Sequence, residues 1–215
     1  MLAAGAARKE LITITSDSVE LEGMLEVPAH ARGLVLFAHG SGSSRHSSRN
    51  NYVAEVLRAA GMGTLLFDLL TEEEAMDRRN VFDIDLLAER LVAATDWVTS
   101  HRKELSKIGY FGASTGGAAA LQASVMTSAA IAAIVSRGGR PDMVLPILNQ
   151  VKAPTLLLVG GDDRDVIALN KLAYQALGAE KELTIIPGAT HLFEEPGKLE
   201  EVARLASVWF QKHLA

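Results

Sequence analysis

This 215-residue chain contains no cysteine. That excludes disulfide frameworks, thiolate metal sites and cysteine nucleophiles. It has no apolar run near the roughly 20 residues that a membrane helix needs, so no membrane partner is expected. It has no basic block, and its formal net charge is -5, which argues against nucleic acid and anionic lipid as partners. The opening stretch "MLAAGAARKE" lacks a long apolar core ahead of its charges and does not read as a secretory signal. No repeat, low-complexity segment or linker interrupts the chain. The expectation is a cytoplasmic protein with one domain over residues 1–215, in which about residues 1–10 form a flexible N-terminus. Oligomeric state is left open.

What is present is an ordinary globular composition, 48% hydrophobic and 22% charged, enough for one sizeable core. "LITITS" (Leu11 to Ser16) and "VELEGMLEV" (Val19 to Val27) flank a Ser-Asp-Ser turn. In the second run Val19, Leu21, Leu25 and Val27 alternate with Glu20, Glu22, Met24 and Glu26. Period two with one polar face predicts a half-buried antiparallel pair.

After Pro28 the pattern changes. "GLVLFAHG", "GTLLFDLL", "KIGYFGA", "IAAIVS", "PTLLLVGG" and "KELTIIPG" are short apolar runs, most without alternation, as in strands buried on both faces of a parallel sheet. Helical spacing separates them, clearest over Ile84 to Val98 and Leu199 to Phe210. Tyr52 to Ala60 and Val166 to Leu177 also read as helices, the second with Asp165 as its N-cap. Met143 to Gln150 is a shorter candidate. "TEEEAMDRRN" (Thr71 to Asn80) reads as a solvated loop. Alternating strands and helices predict an α/β layered fold, with functional residues at the carboxyl ends of the strands.

Those exits carry chemistry. One reads His39-Gly40-Ser41-Gly42-Ser43. Another reads Gly112-Ala113-Ser114-Thr115-Gly116, a Gly-x-Ser-x-Gly between a strand and a helix. A third reads Gly160-Gly161-Asp162-Asp163-Arg164-Asp165, and the last is followed by Gly188-Ala189-Thr190-His191. Serine, acid and histidine in that order, each just after a strand, suit a serine nucleophile with its base and orienting acid. Ser114 is the candidate nucleophile and His191 the candidate base. His39 is the rival histidine, better read as support for its own turn, and His213 is read as a surface residue. Three aspartates compete for the acid. Asp163 is favoured and Asp162 is the alternative, while Asp165 reads as the cap. The oxyanion hole falls to the backbone N–H of Thr115 and of Ser41. "HGSGSS" lacks both the Gly-x-x-x-x-Gly-Lys and the Gly-x-Gly-x-x-Gly phosphate signatures.

At "VLFAHGSGSS", "YFGASTGGAAAL", "LLLVGGDDRDV" and "GATHLFEEPG" the chain resembles the α/β-hydrolase superfamily, in its dienelactone hydrolase-like branch. The resemblance implies a mostly parallel eight-stranded sheet with helices on both faces. It also implies a serine carboxylesterase-type hydrolase that acts on a small ester, without cofactor or metal. Dienelactone hydrolase proper has a cysteine in its elbow where this chain has Ser114, so the narrow dienelactone substrate does not carry over. Only "RGGRPD" (Arg137 to Asp142) follows the strand where many relatives insert a lid, so no substantial lid is expected. Arg137 and Arg140 could bind an anionic part of a substrate or pair with local acids such as Asp142, the second reading being preferred. Thioesterase, amidase, peptidase or acyltransferase chemistry would use the same triad. A non-catalytic binding module of this fold is the remaining alternative.

Overall fold

The two alternating runs pair as expected. In the computed structural model, which describes residues 8–31 and 33–214, β1 (Arg8–Ser16) and β2 (Val19–Val27) form an antiparallel ladder with Ser16 opposite Val19. Ile12, Ile14, Leu21 and Leu25 are buried, and Glu20 and Glu22 face outward. The N-terminus differs from expectation. Residues 1–7 lie outside the described residues, but Arg8 to Glu10 already belong to β1, because each has a ladder partner on β2.

β2 passes antiparallel to β4 (Gly63–Phe67). From there β4, β3 (Gly33–Ala38), β5 (Lys107–Ala113), β6 (Ile131–Arg137), β7 (Thr155–Gly160) and β8 (Lys181–Ile186) are all parallel. The result is one eight-stranded sheet in the order β1-β2-β4-β3-β5-β6-β7-β8.

Successive side chains of a strand point to opposite faces, so each parallel strand feeds two cores. Leu34, Leu36 and Ala38 of β3 face one cluster, and Val35 and Phe37 face the other. The first cluster is covered by α4 (Ile84–His101), α5 (Thr115–Met126), a 3-10 segment over Pro141–Gln150, and α6 (Arg164–Ala176). The second is covered by α1 (Ser48–Ala59) and α7 (Lys198–Leu214). Each fully buried side chain of Leu or Phe size contributes about 1.5–3 kcal/mol. α5 is buried almost all round, so its sequence is small and apolar, with Ala118, Ala119 and Ala120 fully covered.

The stretch Thr71 to Asn80 is not a loop. It forms most of two short helices, α2 (Glu72–Met76) and α3 (Arg78–Val81). The reason is capping. Thr71 Oγ1 accepts from the Glu74 N–H at 3.1 Å, and the Glu74 carboxylate accepts from the Thr71 N–H at 2.9 Å. This reciprocal pair satisfies N–H groups that a helix start leaves open. Asp77 caps α3 without such reciprocity, its carboxylate accepting from the Arg79 N–H at 2.9 Å.

Candidate active site

The elbow follows directly from β5. Ser114 has φ 52° and ψ -121°, a conformation that residues with a Cβ rarely adopt and that is kept only when the surroundings enforce it. They do so here through the backbone. The Ser114 N–H donates to the Arg137 carbonyl at 3.2 Å, and its own carbonyl accepts from the N–H groups of Gly117 at 3.0 Å and Arg140 at 3.1 Å. The two motif glycines are close-approach positions. A Cβ on Gly112 would lie 2.3 Å from the Gly116 carbonyl oxygen, and one on Gly116 would lie 2.1 Å from the Ala38 carbonyl oxygen. Ser114 is held at the turn into α5, whose first free N–H groups and positive dipole end lie beside it.

The acid and histidine loops meet over the neighbouring strands. Asp163 occupies the N-cap position of α6 and makes no side-chain cap bond. Its carboxylate instead accepts from His191 Nδ1–H at 2.7 Å. Asp163 is mostly enclosed and His191 about half-exposed, with side-chain exposures of 16% and 39%. The bond places the imidazole proton on Nδ1 and leaves Nε2 with its lone pair. The ring also lies near the elbow. A Cβ on Gly138, one residue past the Arg137 that pairs with Ala113, would sit 3.5 Å from His191 Cε1.

Asp162 is exposed and bonds the histidine loop through its backbone, donating its N–H to the Ala189 carbonyl at 3.0 Å. Asp165, expected to cap, lies inside the first turn of α6. The helix starts earlier because the Asp163 backbone takes the cap position, its carbonyl accepting the Ile167 N–H at 2.9 Å. His213 is not a plain surface residue. It packs on Trp209 with ring centroids 4.8 Å apart.

The loop after β3 closes over the serine, where a Cβ on Gly40 would be 3.0 Å from Ser114 Cβ. Among the described residues, the backbone N–H groups of Ser41 and Thr115 have no hydrogen-bond partner. His39 holds this loop. Its Nε2 accepts from the Leu69 N–H at 3.0 Å, so the proton is on Nδ1, which donates to the Gly40 carbonyl at 3.0 Å. Burial pushes its pKa below the ordinary imidazole value, more than the Gly40 bond and nearby Asp68 raise it.

A cavity of about 720 Å³ opens on the Gly40, Ser41 and Thr115 side of the elbow. β1 and β2, the loop after β3, and residues of the α2–α3 segment line it. Arg45 spans this wall. Its backbone N–H donates to Asp68 at 2.7 Å, and its guanidinium pairs with both Asp68 and Glu22. So although only three residues separate β6 from the 3-10 segment, the segment after β4 provides a small roof. Among the described residues, no group of three or more His, Asp or Glu side chains is placed to hold a metal ion. None of the helices is long and apolar enough to cross a membrane.

The two arginines separate. Arg140 forms a two-pronged pair with Asp142, both contacts at 2.8 Å. Arg137 lies on the α1/α7 face, above Val135, with its guanidinium 5.9 Å from the Phe193 ring centroid. It is 7% exposed, and among the described residues its Nε and Nη1 have no hydrogen-bond partner. Burial, with Arg49 nearby, lowers its pKa to about 10.

Comparison with known proteins bears on the family and the fold. The dienelactone hydrolase family profile matches residues 63–213. A dienelactone hydrolase from Anabaena variabilis superposes with a TM-score of 0.92 at 55% identity, covering 97% of this chain and 99% of that one. Est1E from Butyrivibrio proteoclasticus has a TM-score of 0.80 at 16% identity, covering 94% of this chain and 98% of that one, a likeness of fold. Two Mycobacterium tuberculosis proteins that carry the name "Putative phosphoribosyl transferase" are 55% identical over 208 residues, 96% of this chain. The match is 47% of their length, so the chain spans about half of these curated relatives. A profile match over most of the chain and a 55%-identical relative matched along almost its whole length carry one conclusion: the chain belongs to the dienelactone hydrolase family.

Proposed function

We propose that this chain is a serine hydrolase that cleaves a carboxylic ester of a small molecule. The observation that supports this most is the Asp163–His191 bond of 2.7 Å beside a serine in strained geometry. Ser114 Oγ attacks the ester carbonyl as His191 Nε2 takes its proton. The carbonyl π electrons move to oxygen, and the resulting oxyanion lies against the free N–H groups of Thr115 and Ser41. Asp163 stays ionised and stabilises the imidazolium. Collapse expels the alkoxide, which His191 protonates, leaving an acyl group on Ser114. His191 then removes a proton from water, the hydroxide attacks the acyl carbon, and Ser114 leaves with that proton.

The Anabaena relative's name, dienelactone hydrolase, describes opening of an internal ester, which is the same bond chemistry. The alternative is the phosphoribosyl transfer named for the Mycobacterium relatives. This chain matches 47% of the length of those relatives. Arg140 is committed to Asp142 and Arg137 is turned to the α1/α7 face, so neither is assigned to substrate.

A fluorophosphonate probe tests the reading. Ser114 in the folded protein is expected to be labelled, and short-chain nitrophenyl ester turnover is expected to vanish in Ser114→Ala. No labelling, or equal turnover in the variant, would remove the catalytic assignment.

A further inference from the structure

The cavity beside the elbow has two features that ester cleavage itself does not use. One is charge. Glu20, Glu22, Asp68 and Glu72 all stand in its wall. Arg45 partly offsets two of them, Glu22 and Asp68. Glu20 and Glu72 are exposed, and among the described residues neither side chain has an ion pair or hydrogen bond. Of the two wall histidines, His39 is buried with its pKa lowered by desolvation, and His46 is exposed. The wall therefore carries an excess of negative charge.

The other feature is the side chain of Thr115. This residue lines the cavity, is 3% exposed, and its hydroxyl has no hydrogen-bond partner among the described residues. A buried hydroxyl left unpaired costs free energy unless something else completes it. It lies one residue from Ser114, at the end of the cavity nearest the reacting carbon. The wall also carries the aliphatic side chains of Leu21, Leu70, Val81 and Leu87.

We propose that this cavity is the specificity pocket of the hydrolase, that it takes a positively charged group carried on an apolar chain, and that it turns carboxylates away. The ammonium end meets Glu20 and Glu72 at the mouth, the chain lies on the aliphatic wall, and Thr115 Oγ1 bonds a polar atom of the substrate next to the ester carbon. A cavity of about 720 Å³ suits such a molecule, since small-ligand pockets run from roughly 300 to 1,000 Å³. The inference rests on the hydrolase reading for its reaction, but not for binding.

Two matched ester series test it. In the first the charge is on the acyl end: nitrophenyl esters of 4-(trimethylammonio)butyrate, 5,5-dimethylhexanoate and glutarate. In the second it is on the alcohol end: choline acetate, 3,3-dimethylbutyl acetate and 3-acetoxypropionate. In the series whose variable end enters the cavity, kcat/KM should fall from cation to neutral to anion by about fivefold per step at low salt. The steps should shrink with added salt and fall to about twofold or less in the Glu20→Gln/Glu72→Gln double variant. Thr115→Val should lower kcat/KM about tenfold for all members, and Thr115→Ser should restore most of it. No charge ranking in either series, or a ranking unchanged in the double variant, overturns the inference. Binding is read separately in Ser114→Ala protein titrated with butyltrimethylammonium. Amide shifts at Glu20, Glu72 and Thr115 are expected, and their absence overturns it. Fluorophosphonate labelling of Ser114 stands apart from both, so failure of the hydrolase reading is not confused with failure of the pocket.

Discussion

Two segments leave the same edge of the sheet and are held in opposite ways. The turn after β5 is fixed by backbone against backbone: Ser114 exchanges hydrogen bonds with Arg137, Gly117 and Arg140, and Gly112 and Gly116 leave no space for a Cβ. The segment after β4 is fixed by side chains. Thr71, Asp77 and Asp83 cap three successive helices, and Glu74 also binds Arg90 at 2.9 Å. The first arrangement admits almost no variation, and it presents the serine. The second can be rebuilt one side chain at a time, and it roofs the cavity. On the proposed reading, reaction geometry is kept in backbone and choice of substrate in replaceable groups.

The largest effects should therefore come from the rigid side. Ser114→Ala and Asp163→Asn are each expected to lower kcat about 10⁴-fold or more, the second by presenting His191 in the wrong tautomer. Both should melt near wild type in a thermal scan. Loss of activity through unfolding would instead mean that Asp163 is a structural cap. Gly116→Ala tests the backbone directly. Its new Cβ would have to move carbonyls of Ala38 and His39 away from 2.1–2.6 Å contacts, at a cost of about 3 kcal/mol or more. That corresponds to a Tm lower by about 6–12 °C for a chain of this size. A Tm within a degree or two of wild type would show that the elbow yields.

The same contrast explains what could be read from sequence. The parallel strands were legible because continuous apolar runs have few other uses. Lys107 to Ala113 forms a strand along its full length, and the other runs begin at or within one residue of their strands. The elbow was legible because its glycines are demanded by contacts that only a hydrogen atom fits. Residues 71–80 were not, since their charge suggests solvent. The signal present was Thr71-x-x-Glu74, a capping box, followed by Asp77 at the next helix start. The sequence favours Asp163 but leaves Asp162 as an alternative, and the three-dimensional path of the loop gives Asp163 to His191. Arg137 and Arg140 likewise look alike until the strand's period two sends Arg137 into the α1/α7 face. The cavity was the least legible part, because its wall comes from β1, β2, the loop after β3 and α2–α3, which meet only through the sheet order.

Glu74→Ala breaks the side-chain side. It removes the bond to the Thr71 N–H and leaves Arg90, 5% exposed, with the Ser16 carbonyl as its hydrogen-bond partner and Asp17 at 3.9 Å. The expected cost is about 2 kcal/mol, from a lost cap and a weakened buried charge pair. The Tm should fall by roughly 4–8 °C. The rate of Ser114 labelling by a small fluorophosphonate should stay within about twofold, because the elbow does not lean on α2. The ester profile should broaden as the roof loosens. Labelling that falls in step with the Tm would mean the two segments are one unit.

His39 joins them, and its pH dependence is the smallest effect expected. Its ring donates to Gly40 in the loop over the serine and accepts from Leu69 at the start of the roofed segment. The Leu69 bond needs the neutral ring with Nε2 unprotonated, whereas the Gly40 bond survives protonation; burial outweighs the Gly40 bond and favours the neutral form by lowering the folded-state pKa below 6.5. The unfolded chain therefore binds a proton at a pH where the folded one does not, and stability falls as pH drops. The contribution is intact above the unfolded value and is lost between about 6.5 and the lower folded pKa. Below both values the loss is complete. Urea midpoints between pH 8 and 5 measure it. His39→Gln should be less stable at pH 8 by about 1 kcal/mol yet show a flatter decline on acidification. Equal slopes in the two proteins would mean that the loop over the serine and the roofed segment are not coupled through this ring.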